Sequence, residues 1–152
     1  MPPHDLILRP AQPADLPQVA ALYQSWVEEG CTRGLGAVGA GYLEECLEHG
    51  FLVAQVEGRV AGFAIGRIHT SDEGLAALYP VGTRYLEVTE LYVQPPWREQ
   101  GIGTALLAAL EQYAQARDCH HFRLVSESRQ PERITAFYRL AGYRVASIEL
   151  FK

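Results

Sequence analysis

The run Arg84-Tyr85-Leu86-Glu87-Val88-Thr89-Glu90-Leu91-Tyr92-Val93 is rich in β-branched and aromatic residues and stops against Pro95-Pro96. It reads as the strongest strand in the chain. The turn Arg98-Glu99-Gln100-Gly101-Ile102-Gly103 follows almost at once, and then an apolar stripe of Leu106, Leu107, Leu110, Tyr113 and Ala114 with alanine between. That stripe predicts a helix of roughly four turns or more, reaching about Arg117. Two glycines at this spacing let the backbone curl tightly and aim consecutive N–H groups at one point, where a helix start and its dipole favour an anion. Arg98 could add charge at the rim. On spacing alone the turn could equally be a plain strand-to-helix connection with Arg98 solvated. The dinucleotide fingerprint and the P-loop pattern are both missing from this segment.

The rest of the chain fits around that unit. Leu6 to Arg9 reads as a first strand, and Leu16, Val19, Ala20, Leu22, Tyr23, Trp26 and Val27 recur at helical spacing behind Pro13. Gly30 to Gly41 is glycine-rich and reads as a loop, followed by a short helix from about Tyr42 to His49 with Gly50 as its stop. Phe51 to Val56 and Val60 to Ile68 flank Glu57-Gly58-Arg59 as a hairpin would. Thr70 to Gly82 reads as a loop, His121 to Val125 as a strand, Ile134 to Leu140 as a helix stopped by Gly142, and Tyr143 to Phe151 as a closing strand. The expected fold is mixed α/β (α+β): helices on a largely antiparallel sheet of six to seven strands, all in one domain spanning residues 1–152.

A formal charge of -5, from 18 acidic and 13 basic residues, gives no reason to expect a nucleic-acid partner and suits a cationic small molecule better. Cys31, Cys46 and Cys119 lie far apart with no CxxC, which argues against a disulfide scaffold or a zinc site. His120 and His121 adjoin Cys119, yet neighbours on a strand face opposite ways and no acid completes a ligand set, so no metal is expected. No leader-like stretch and no long apolar run is present, so the expectation is a cytoplasmic chain that does not span a membrane.

The stretch Leu91 to Leu107 resembles the coenzyme-A segment of the GCN5-related N-acetyltransferase (GNAT) superfamily, and Ala136-Phe137-Tyr138-Arg139-Leu140-Ala141-Gly142-Tyr143 resembles that family's later helix and the strand after it. The resemblance implies acetyl-coenzyme A as acyl-donor cosubstrate. It implies that the backbone of Leu91, Tyr92 and Val93 runs along the pantetheine arm, in a V-shaped splay between that strand and the one from His121. It further implies that Arg98, Glu99, Gln100, Gly101, Ile102, Gly103 and Thr104 surround the pyrophosphate, and that Tyr138 donates a proton or hydrogen bond as the thiolate leaves. Where the family often has Asn, seven residues before that tyrosine, this chain has Pro131, with Ser126 or Ser128 as substitutes.

Transfer to an amine needs the amine neutral and the leaving groups stabilised. Glu87 and Glu90 are the natural bases, and each has the alternative reading of a solvated or ion-paired strand acid. Strict alternation sets them on opposite faces unless a bulge intervenes. The acceptor pocket is expected from Trp26, Gly30 to Gly41 and Thr70 to Gly82, with Glu28, Glu29, Asp72 and Glu73 lending a field suited to a cation. The preferred function is acetyl transfer from acetyl-coenzyme A to a primary amine of a small molecule or peptide in a ternary complex. The alternatives are a coenzyme-binding or regulatory protein with weak or no turnover, and an unrelated phosphate-binding module. Ala146 to Phe151 could finish the sheet or pair across a homodimer.

Overall fold

The computed structural model describes Met1 to Lys152. Its elements in chain order are β1 (Ile7–Pro10), α1 (Leu16–Glu29), α2 (Ala40–Cys46), β2 (Gly50–Val56), β3 (Arg59–Thr70), β4 (Arg84–Val93), α3 (Ile102–Gln115), β5 (Phe122–Arg123) and α4 (Pro131–Leu140). The strands lie in the sheet in sequence order, antiparallel from β1 to β4, with β5 parallel to β4. The local chemistry explains the joints. Glu57 and Gly58 both take positive φ, 52° and 75°, which matches the twist of a tight β2–β3 hairpin. Gly30 caps α1 at φ 66°, its N–H donating to Val27 O at 3.1 Å.

Several expectations need correction. The sheet has five strands, not six to seven. The strand expected over His121 to Val125 is only Phe122–Arg123, and the closing strand expected over Tyr143 to Phe151 is not formed. An apolar run becomes a strand only when an edge is offered to it. Here Ile148, Leu150 and Phe151 stay 76%, 88% and 80% exposed, with no ladder to join. The second helix ends at Cys46, and Gly50 opens β2 instead of closing a helix. The last helix begins at Pro131, whose missing N–H suits the first helical position.

Two layers sandwich the sheet. On one face α3 lays Ile102, Leu106, Leu107, Leu110 and Ala114 over Leu52, Ala54, Ala61, Ala64, Leu86 and Val88. The approach is close because β2 and β3 present glycines beneath it. A Cβ on Gly50 would come within 2.9 Å of Leu110 Cδ1, and one on Gly66 within 3.0 Å of Leu110 Cδ2. On the other face α1 and α2 bury Val19, Leu22, Tyr23, Leu43 and Cys46 against Phe51, Val53, Val60, Phe63, Ile65 and Tyr92.

Candidate active site

The site is organised by one extra residue. Across β3 and β4, Ile65 stands opposite Glu90 but Gly66 stands opposite Val88, so Thr89 is inserted. An extra residue inverts the facing of everything beyond it. Leu86 and Val88 before the bulge, and Leu91 and Val93 after it, all pack on the α3 side. Glu87, Glu90 and Tyr92 therefore share the α1/α2 side. The opposite-face arrangement that strict alternation requires is overturned by this bulge. Glu87 stands across from Arg67, whose guanidinium reaches Glu45 Oε1 at 2.8 Å and Cys46 Sγ at 3.6 Å on α2.

Both acids are engaged. Glu90 is buried, and its carboxylate accepts hydrogen bonds from the Tyr42 and Thr89 hydroxyls. Burial first, and the Glu90 bond second, push the Tyr42 hydroxyl far up, so Tyr42 holds its proton. Glu87 Oε2 accepts from Arg123 Nη1 at 2.8 Å.

Beyond the bulge the outer edge of β4 is open. β4 pairs with β5 only at Leu86–Phe122 and Glu87–Arg123, anchored by Leu86 N donating to His121 O at 2.8 Å. Gln94 N donates inward to Ala61 O at 2.8 Å, so Val93 points its own peptide groups outward, and Leu91, two residues earlier, does the same. Val93 O accepts from Arg98 Nε at 2.8 Å.

At the end of that edge the chain turns into α3. Glu99 (φ 61°) and Gly101 (φ 80°) alternate with ordinary residues, and no side chain caps the helix. The consecutive N–H groups from Glu99 to Thr104 find no acceptor within the chain, the first intrahelical donor being Ala105 N to Gly101 O at 3.0 Å. This is the concave run of donors expected of an anion nest. Gly103 lies beneath α4, where an added Cβ would be 3.5 Å from Phe137 Cζ.

Tyr138, next on α4, is half-buried, with its ring 5.5 Å from that of Tyr143, and burial pushes its hydroxyl up to about 12. It is therefore a proton donor at neutral pH. Ser126 and Ser128 are occupied in the turn leading to α4, Ser126 Oγ accepting from Ser128 N at 3.3 Å and Ser128 Oγ from Gln130 N at 3.0 Å.

The two expected acceptor loops separate. Thr70 to Gly82 closes on the start of β4, with Ser71 N donating to Thr83 O at 2.7 Å, which leaves Asp72 and Glu73 at the far end of that strand from the nest. Glu29 lies at the near end. Its carboxylate accepts from Tyr92 Oη at 2.6 Å and from Arg98 Nη2 at 2.8 and 2.9 Å, and Trp26 stacks on Tyr92 at 5.4 Å. The sequence placed Glu29 only in a diffuse acidic field and Tyr42 only at the start of a short helix. Glu29's position just before the first glycine of the loop was the one available signal, whereas nothing local marks Tyr42. No group of three or more His, Cys, Asp and Glu side chains is gathered anywhere as a metal ligand set.

The acetyltransferase (GNAT) family model matches residues 16–143, taking in both faces of the sheet, the nest and α4. The chain belongs to the GNAT acetyltransferase family. Within that family it is 34% identical over 94 residues to aminoglycoside N(6')-acetyltransferase type 1 of Stenotrophomonas maltophilia, a match spanning 61% of this chain and 58% of that relative's length. Solved structures share the fold, among them the following two. A ribosomal-protein-alanine N-acetyltransferase from Brucella melitensis biovar Abortus superposes with TM-score 0.68 at 24% identity, covering 98% of each chain. An aminoglycoside acetyltransferase from an uncultured soil metagenomic sample, in complex with sisomicin, gives TM-score 0.70 at 17% identity over 97% of this chain and 95% of that one.

Proposed function

We propose that this GNAT chain transfers the acetyl group of acetyl-coenzyme A to a primary amine of a small molecule or peptide, by direct attack in a ternary complex. The observation that carries the reading is the junction of an open strand edge with a run of acceptor-free N–H groups, from Leu91 through Thr104. An extended arm with amides can add to such an edge as a strand would, and a pyrophosphate fits the nest at its end. The coenzyme, when bound, supplies the thioester whose carbonyl is attacked.

The chain's own residues supply the rest. Leu91 and Val93 offer outward peptide groups along the edge, and the amides from Gln100 to Thr104 hold negative charge. Tyr138, protonated at neutral pH, donates toward the departing sulfur. Glu90 sits at the bulge, where the edge opens, and its carboxylate is already bonded to Tyr42. As Tyr42 passes its proton to Glu90, the Tyr42 oxygen takes one from the acceptor ammonium, leaving the amine free to attack. Glu87, paired with Arg123, shapes the same face. The acceptor is a cationic amine. The aminoglycoside acetyltransferases among its relatives favour that class, as does the acidic, aromatic corner of Trp26, Glu29 and Tyr92.

A second reading, coenzyme binding with little turnover, draws on both glutamates being tied to partners. Calorimetric titration with coenzyme A, ATP and NAD, followed by free-thiol assay with aminoglycosides, polyamines and peptide N-termini, separates the two. The transferase reading expects selective coenzyme A binding and thiol release with at least one amine. Equal binding of ATP and NAD would defeat it, and selective binding without thiol release would leave the second reading standing.

A further inference from the structure

Arg98 opens the nest motif, yet its guanidinium is turned away from the nest's amides. Its Nε sits on Val93 O at 2.8 Å, both Glu29 oxygens lie within 2.9 Å of its Nη2, and it rests over the Tyr92 ring at 5.4 Å. Glu29 begins a segment that continues to the other arm of the opening. Arg33 N donates to Glu127 O at 2.9 Å, Arg129 N donates to Cys31 O at 2.8 Å, and Thr32 bridges Ser128. Residues 29–33 thus run as a strap from the turn after β4 to the chain after β5, across the mouth of the splay. The strap is held on the β4 side by the Glu29–Arg98 ion pair and by the Tyr92 hydroxyl on Glu29.

Resting on the acetyltransferase reading, we propose that Glu29 and Arg98 form a switch: an arm that takes the β4 edge displaces Arg98 from Val93, and the Glu29 carboxylate so released receives a cationic group of the acceptor. A strand-like arm bonds the outward carbonyl of Val93 and there competes with the Arg98 Nε that now donates to it. Glu29 keeps only its Tyr92 bond and gains an unpaired oxygen beside an aromatic face, a setting suited to an ammonium. Left with the Tyr92 bond alone on the β4 side, the strap loosens on the same event. Glu29 acts here as a positioning and specificity residue, and takes no part in proton transfer.

Hydrogen exchange at the Arg33 and Arg129 amides reads the strap without turnover. Coenzyme A should speed both in the native chain, and Glu29→Gln should speed both with no ligand and leave little further change on adding it. Glu29→Gln should also tighten coenzyme A about two- to fivefold, since a half-exposed ion pair holding Arg98 is worth at most about 1 kcal/mol. For an acceptor with a second ammonium, KM should rise about tenfold with kcat nearly unchanged, and a monoamine should show no such rise. Arg98→Lys, which keeps the charge but loses the fork, should also free the strap. If coenzyme A binds and the two amides exchange at unchanged rates in the native chain, the switch is wrong while the transferase reading stands. If coenzyme A does not bind at all, both fall.

Discussion

Under α3 the sheet meets a layer built from Ile102, Leu106, Leu107, Leu110 and Ala114, seated on glycines so closely that little else fits. Under α1 and α2 the same sheet buries Glu90 and Tyr92 and half-buries Tyr42 and Arg67 among its apolar side chains, each tied to a named partner. The first layer stabilises by area and fit, and the buried polar atoms beside it, Glu111 Oε2 and Tyr143 Oη, have no hydrogen-bond partner. The second has exchanged some of that packing for hydrogen-bonded groups that can hold or move a proton. The hinge between the two arrangements is the bulge at Thr89: with Thr89 in the regular pleat, Glu90 would face α3 and lose both hydroxyls.

That contrast can be attacked directly. The largest effect is expected from deleting Leu91: Tyr92 and Val93 keep their partners on β3 only if the bulge straightens, and that carries Glu90 into the α3 layer without its hydroxyl partners. The variant should lose cooperative thermal unfolding by circular dichroism, and a well-folded product would show that the bulge is not what sorts the faces. Leu110→Ala, on the α3 side, should cost about 2–5 kcal/mol in urea unfolding and leave acceptor KM alone. Glu90→Gln, on the other side, should do the reverse: kcat down about a hundredfold with a much smaller change in stability, and Glu87→Gln less than that. Tyr138→Phe should lower kcat about tenfold. In the native chain no alkaline loss of activity should trace to Tyr138 until the pH nears its hydroxyl's value of about 12.

The smallest effect lies at the sheet's edge. Arg9 hydrogen-bonds Asp15 at 2.7 and 2.8 Å and holds its carboxyl below the usual carboxylate range. A depressed folded value means stability that is present above about pH 4 and lost as pH falls through the lowered value. Asp15→Asn should flatten that part of the acid unfolding curve, and an unchanged curve would remove the pair from the account.

Much of this was legible in the sequence because it is local. The nest follows from two glycines at the right spacing after a strand, and β4 and α3 from residue type and period. The hairpin at Glu57-Gly58 was legible for the same reason. What escaped is non-local. Thr89 carries no mark of a bulge, because insertion is a relation between two strands. Tyr42 reaches Glu90 only because α2 packs over β4, and Arg98 finds Glu29 across 69 residues of chain. The apolar Tyr143 to Phe151 misled for the same reason in reverse, since its pattern fits a strand but no edge receives it.

The most direct measurement is thiol release from acetyl-coenzyme A with the native chain and Glu90→Gln side by side, over a panel of cationic amines. The account predicts transfer to at least one amine by the native chain and a kcat loss of about a hundredfold in the variant, with coenzyme affinity intact. Equal turnover by the two proteins would contradict the assignment of the chemistry to the α1/α2 face.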